Sequence, residues 1–130
     1  MAKKKRGIKI INLFAVCMAG VLGVGMRYMV GILFSASHFA IPTFIVNALG
    51  CFIFGMGVTF ANQLDVSHWV RVAILVGLCG GLTTFSSFAY DIIRFISNQQ
   101  IGAAAMYFFA THIVCLLCFS IGYFIAALFK

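Results

Sequence analysis

Four hydroxyls, two aromatic rings and two glycines fall within nine residues, Gly80-Gly81-Leu82-Thr83-Thr84-Phe85-Ser86-Ser87-Phe88, in the middle of an apolar stretch from Trp69 to Phe95. Glycine weakens a helix, and Ser and Thr side chains compete for its backbone groups, so the run predicts a break. In hydrocarbon, backbone that leaves the helix must be buried in protein or line a watery path, which makes the break a candidate site. Carbonyls freed there suit a small hard cation, while freed amides and the hydroxyls of Thr83, Thr84, Ser86 and Ser87 can donate to or accept from a polar solute. Phe85 and Phe88, three apart, share a face. Against lipid that is ordinary; beside a polar break their ring edges, the positive part of the aromatic quadrupole, can face an anion.

Polar residues in the other apolar segments also keep helical spacing. Asn47 shares a stripe with Gly50, Phe54 and Gly57, and an amide at membrane depth needs a partner, either in an interhelical hydrogen bond or along a polar path. Arg27 follows Gly20 and Gly23 and precedes Gly31 on one face, where Ala19 and Gly23 form a small-x-x-x-small pair that should pack against protein. Near the end of its segment Arg27 can snorkel to the interface, but the glycine face argues for an inward guanidinium, which would attract anions. Tyr107, Thr111, Cys115 and Cys118 fall within an arc of about 80° on a helix. The thiols read as packing between helices, whereas Tyr107 and Thr111, four apart, read as steps of a pathway.

Other chemistries find little support. All five cysteines, Cys17, Cys51, Cys79, Cys115 and Cys118, lie in apolar segments, so no extracellular disulfide framework can be read from them. The run His112-x-x-Cys115-x-x-Cys118 has the ligand types of a soft-metal transporter. It sweeps about 120° around a helix, however, and no second His/Cys cluster completes a site. A redox thiol pair lacks the electropositive helix N-terminus that lowers a thiol pKa. The only carboxylates are Asp65 and Asp91, so no paired acid and base is expected and the chain reads as no enzyme. The same scarcity argues against a proton-coupled exporter.

The elements that must position these residues are transmembrane helices. With 130 residues, 64% hydrophobic and 8% charged, and a mean hydropathy of +1.14, the chain reads as one all-α integral membrane domain over residues 1–130. Four segments, Ile8 to Leu33, Phe39 to Ala61, Trp69 to Phe95 and Ile101 to Phe129, meet the length of about 20 residues needed to cross the bilayer. The basic run Lys3-Lys4-Lys5-Arg6 precedes an apolar region too long for a signal-peptide core and without a convincing small-x-small cleavage site. Basic residues lie at the membrane borders, so the net charge of +7 is no nucleic-acid patch. Lys3, Lys4, Lys5, Arg6, Lys9, Arg71 and Lys130 fall on one side, against Arg94 and Arg27 towards the other. The positive-inside rule then predicts a multi-pass protein of the cell membrane with both termini cytoplasmic and the turns at Ser35 to Ile41 and Ser97 to Gln100 outside.

Together these residues resemble those of a known family, the small four-span fluoride channels called CrcB or Fluc, whose third helix carries GGLTTFS, then Thr or Ser, then Phe. The resemblance covers the whole chain, including the glycine-rich first helix ending in Arg27-Tyr28, Asn47-x-x-Gly50 in the second, and the step from Tyr107 to Thr111 in the fourth. It implies an antiparallel dimer with two pores near the subunit interface, through which fluoride flows passively. It also implies that backbone carbonyls of Gly80 and Thr83 from both subunits hold a central structural sodium, that Phe85 and Phe88 line the fluoride pathways with Asn47 as pathway amide, and that Tyr107 and Thr111 begin a polar track. Ser87 stands where the family often has Thr, and Cys115 where a hydroxyl would continue the track. The partner is a second copy or, given the unbalanced basic residues, an oppositely oriented paralogue. Small multidrug-resistance exporters look similar in size but need a glutamate in the first helix, and this chain contains no Glu.

Overall fold

A computed structural model describes residues 9–129, and among them every regular element is helical. The run Lys3 to Arg6 and Lys130, on which most of the expected orientation rests, lie outside the described residues. Two long helices come first, α1 (Ile10–Leu33) and α2 (Ile41–Gln63). A composite rod follows: α3 (His68–Val72), a π-helical stretch (Ala73–Leu78), α4 (Cys79–Leu82) and α5 (Phe85–Ser97), before α6 (Ile101–Ala127) closes the chain. α1, α2, α6 and the rod from His68 to Ser97 are each long and apolar enough to cross a membrane, and their ends lie within two residues of those expected from hydropathy.

Turn chemistry sets these ends. Pro42 sits in the first turn of α2, where its missing N–H removes no helical bond. Asp65 and Gln99 take left-handed backbone (φ 46° and 58°) in the turns after α2 and α5. Arg71 donates from Nη2 to the Ala61 carbonyl at 2.7 Å, placing a cation on the C-terminal turn of α2, where the helix dipole favours it.

Glycines decide how closely the rods approach, since apolar burial alone gives helices in lipid no reason to associate. A Cβ at Gly55 of α2 would overlap the Phe119 carbonyl, and one at Gly122 of α6 would overlap the Phe52 carbonyl, so these helices meet backbone to backbone. α1 meets the composite rod in the same way: Gly23 faces the Leu78 carbonyl and the Leu82 amide, while Gly77 and Gly81 face Val16, Ala19 and Gly20 in return. Gly31, expected on the same packed face, has nothing within 4 Å of where a Cβ would stand, because the rod diverges from α1 beyond Arg27. A small core of Ala40, Phe88, Phe95, Ala104 and Tyr107 forms between α2, α5 and α6. Large apolar side chains such as Val21, Leu22, Phe109 and Leu116 are exposed on the outer faces, as hydrocarbon solvent permits.

Candidate functional site

The composite rod leaves helical backbone at two residues. α4 ends at Leu82, Thr83 (φ −79°, ψ 155°) and Thr84 (φ −151°, ψ 114°) are extended, and α5 starts at Phe85. The Thr84 N–H, which in a helix would bond the Gly80 carbonyl, donates instead to Asn47 Oδ1 at 2.7 Å. Asn47 Nδ2 donates back to the Thr84 carbonyl at 3.2 Å. A side-chain amide thus pairs with one residue as a neighbouring strand would, satisfying both polar groups of a peptide that has left its helix. Thr84 also caps α5: its Oγ1 accepts from the Ser87 amide at 3.2 Å and donates to Ser87 Oγ at 3.0 Å. The two glycines do not themselves unwind. Gly80 and Gly81 are helical within α4, and Gly81 is small because the Gly20 carbonyl and Cα of α1 lie against it.

Arg27 turns inward. Its Nη1 donates to the Thr83 carbonyl at 3.3 Å, possible because Gly23, one turn earlier, holds α1 against the rod. Two carbonyls near the break therefore differ. That of Thr83 takes a guanidinium, and that of Gly80, on an exposed residue, has lost its helical donor to Asn47.

Beside the extended pair lies an open cavity of about 250 Å³. Asn47 and Cys51 of α2 form one wall, Thr83, Thr84, Phe85 and Phe88 the second, and Thr111, His112 and Cys115 of α6 the third. Phe88 is buried, with ring centroids 5.6 Å from Phe85 and 5.3 Å from Tyr107, and meets His112 near edge-on at 5.5 Å. Phe85 is 75% exposed. Thr111 is buried, and its Oγ1 is the one buried side-chain polar atom among the described residues without a hydrogen-bond partner. A buried hydroxyl left unpaired costs about 1–3 kcal/mol.

Of the residues singled out in the sequence, Asn47, Thr83, Phe85, Phe88 and Thr111 meet at this cavity. Tyr107, Ser87, Arg27 and Gly80 do not line it. The Tyr107 hydroxyl donates to Asp91 Oδ2 at 3.3 Å, giving a buried carboxylate a donor. Ser87 is turned to Thr84, and Arg27 to the Thr83 carbonyl. Cys51 and His112 line the cavity without having been singled out as wall residues. Cys51 follows Asn47 by four residues and His112 adjoins Thr111, so helical spacing from the polar pair was the available signal. Cys115, read as packing, lines the cavity too. Among the described residues no three His, Cys, Asp or Glu side chains converge as a metal site.

The model of the family described as CrcB-like protein, Camphor Resistance (CrcB), matches residues 14–123. A protein of Stutzerimonas stutzeri strain A1501 described as fluoride-specific ion channel FluC is 39% identical over 98 residues, covering 72% of this chain and 79% of its own. A Methanococcus aeolicus protein of the same description is 37% identical over 91 residues, covering 68% and 73%. Another from Methylobacterium radiotolerans is 33% identical over 117 residues, covering 86% and 82%.

Proposed function

The chain belongs to the CrcB family, and from that premise we propose that it is a fluoride-selective channel of the cell membrane, through which fluoride leaves the cytoplasm down its gradient. The observation that carries this reading is the cavity at Thr83 and Thr84, where Asn47 and Thr111 share the walls with the Phe85–Phe88 pair. Fluoride is small and strongly hydrated, so entry requires several convergent donors in place of its water shell, none binding so tightly that the ion stays. Asn47 Nδ2 has two N–H groups and spends one on Thr84, leaving one for the cavity. Thr111 offers its O–H, and the edges of Phe88 and Phe85 offer their positive rims. Around this centre Ser87 holds Thr84, Tyr107 backs the Phe88 ring, and Arg27 adds positive potential that favours an anion.

A single chain leaves the path half built, since Phe85 and Gly80 are exposed on it. The reading is completed by an antiparallel partner, a second copy or an oppositely inserted paralogue, which would cover them. Of the two carbonyls that the resemblance assigns to a structural sodium, that of Gly80 is a neutral hard oxygen without its helical donor, whereas that of Thr83 already accepts from the Arg27 guanidinium. Two oxygens are fewer than the roughly six a hard cation takes, so the matching pair of the partner has to contribute. Bound there, sodium would supply a positive charge that ties the broken rods of two subunits together.

Liposomes holding the purified protein provide the test. Fluoride efflux followed with an ion electrode should exceed chloride efflux by about 100-fold, a selectivity of about 3 kcal/mol. Equal rates overturn the reading, and Phe88→Ile, which removes the ring edge, should slow efflux by about tenfold. Thr111→Val gives a sharper result because it uncouples stability from transport. Deleting an orphaned hydroxyl at constant shape should leave thermal stability unchanged or raised by about 1 kcal/mol while fluoride efflux falls. A stability loss with normal efflux would show the hydroxyl to be structural. Replacing sodium with N-methylglucamine on both sides should weaken dimer assembly or silence efflux, since a ion bound only to the assembled state stabilises it by mass action. For the partner, a cysteine at Ala2 probed from outside intact cells with an impermeant reagent should label about half the molecules if the chain inserts both ways, and almost none if it pairs with a paralogue.

A further inference from the structure

The part of the cavity that the anion reading leaves unused carries two thiols. Cys51 lies one helical turn beyond Asn47 on α2, and Cys115 one turn beyond Thr111 on α6. Both are free, and they stand on the wall of one cavity one helical turn before Gly55 and Phe119, the pair at which α2 and α6 meet backbone to backbone. Helical rise places the pair about 6 Å along the helices from the donors of the proposed path. Nothing in the anion mechanism requires sulfur at either position.

We propose that Cys51 and Cys115 form a two-thiolate site for a soft monovalent d10 cation such as Cu⁺ or Ag⁺, and that filling it closes the anion path. Soft thiolates select such ions over hard ones. Ions of this class accept linear coordination by two sulfurs, so the absence of a third ligand among the described residues is no obstacle. Binding breaks two S–H bonds and forms two S–metal bonds, sends two protons to water, and changes no oxidation state. The filled site carries a net charge of minus one, two thiolates against one monovalent cation. That charge sits beside Asn47 and Thr111 in a low-dielectric cavity, where it repels the anion those donors would otherwise attract. The consequence for transport rests on the channel reading; the binding itself does not.

Silver nitrate in chloride-free buffer is the probe, with two readouts. Native mass spectrometry of the detergent-purified protein should find one silver per chain, retained more strongly at pH 8 than at pH 6 because protons are released. Fluoride efflux from liposomes should fall by about tenfold on silver addition, from repulsion and occlusion together, and recover with excess free cysteine. Cys51→Ala and Cys115→Ala, and the Ser variants should the Ala proteins not assemble, should each bind no silver at the same free concentration. Efflux of each variant, compared with its own silver-free rate, should no longer respond. Cys17→Ala, on the exposed side of α1, should keep both binding and block. Silver retained by both cavity variants, or bound silver that leaves wild-type efflux unchanged, overturns the proposal. A protein that binds one silver per chain yet passes no fluoride before silver is added keeps the site and rejects the channel reading.

Discussion

Asn47→Leu should abolish fluoride efflux and lower the unfolding midpoint, because one side chain both closes the backbone gap at Thr84 and faces the cavity. Leucine matches the amide in size but leaves the Thr84 N–H and C=O, now held at 2.7 and 3.2 Å, without partners. Each orphaned group costs about 1–3 kcal/mol in a soluble protein. Interhelical hydrogen bonds within membranes average nearer 0.6 kcal/mol, so a total of about 1–3 kcal/mol is expected. Asn47→Asp separates the two roles. It keeps an oxygen to accept from the Thr84 amide, loses the Nδ2 donor, and when ionised sets a carboxylate where the anion would dehydrate. Efflux should therefore fall by about 100-fold or more in both variants, while Asn47→Asp unfolds at a higher temperature than Asn47→Leu and regains some efflux as acid protonates it. Near-native efflux through Asn47→Leu would remove the amide from the transport machinery and leave it only as a brace.

The rods were legible because the bilayer imposes one length and one composition on them, and hydropathy reads both. The position of the site was legible for a related reason: hydroxyls at Thr83 and Thr84 are costly in an uninterrupted apolar helix. Other features depended on distances between elements. The π-helical stretch Ala73–Leu78 has the sequence AILVGL, apolar throughout, and no residue in it marks the wider turn. That both Gly77 and Gly81 meet α1 backbone is likewise a property of the packed pair. The glycines at 80 and 81 suggested unwinding because glycine lowers helix stability, yet they remain helical, and Gly81 serves the close approach of Gly20. Spacing pairs Tyr107 with Thr111 on one face of α6, but periodicity does not name the neighbour across the interface, which here is Asp91 on α5.

Gly23→Ala should be the most damaging single methyl group on α1, and Gly25→Ala, two residues later, the measure of how specific that damage is. A Cβ at Gly23 would overlap the Leu78 carbonyl and stand 2.8 Å from the Leu82 nitrogen and 3.0 Å from the Gly81 carbonyl carbon. All three obstacles are backbone, so no side chain can swing aside and α1 itself must move. Overpacking of this kind costs about 1–3 kcal/mol. The shift also propagates, because Arg27 is the next residue on that face and its bond to the Thr83 carbonyl is already 3.3 Å long. Moving α1 outward withdraws the guanidinium from the carbonyl that ends α4, so efflux should fall by about tenfold or more in protein that still reaches the membrane. Gly25 has nothing within 4 Å of the same added carbon, and alanine there gains up to about 1 kcal/mol of helix propensity. Its unfolding midpoint should hold or rise, with efflux retained. Equal damage from both would mean that α1 tolerates no added volume anywhere, as when its outer face is itself buried against a partner. Damage from Gly23→Ala alone would locate the constraint at the seam between α1 and the broken rod, where the position of Arg27 is set.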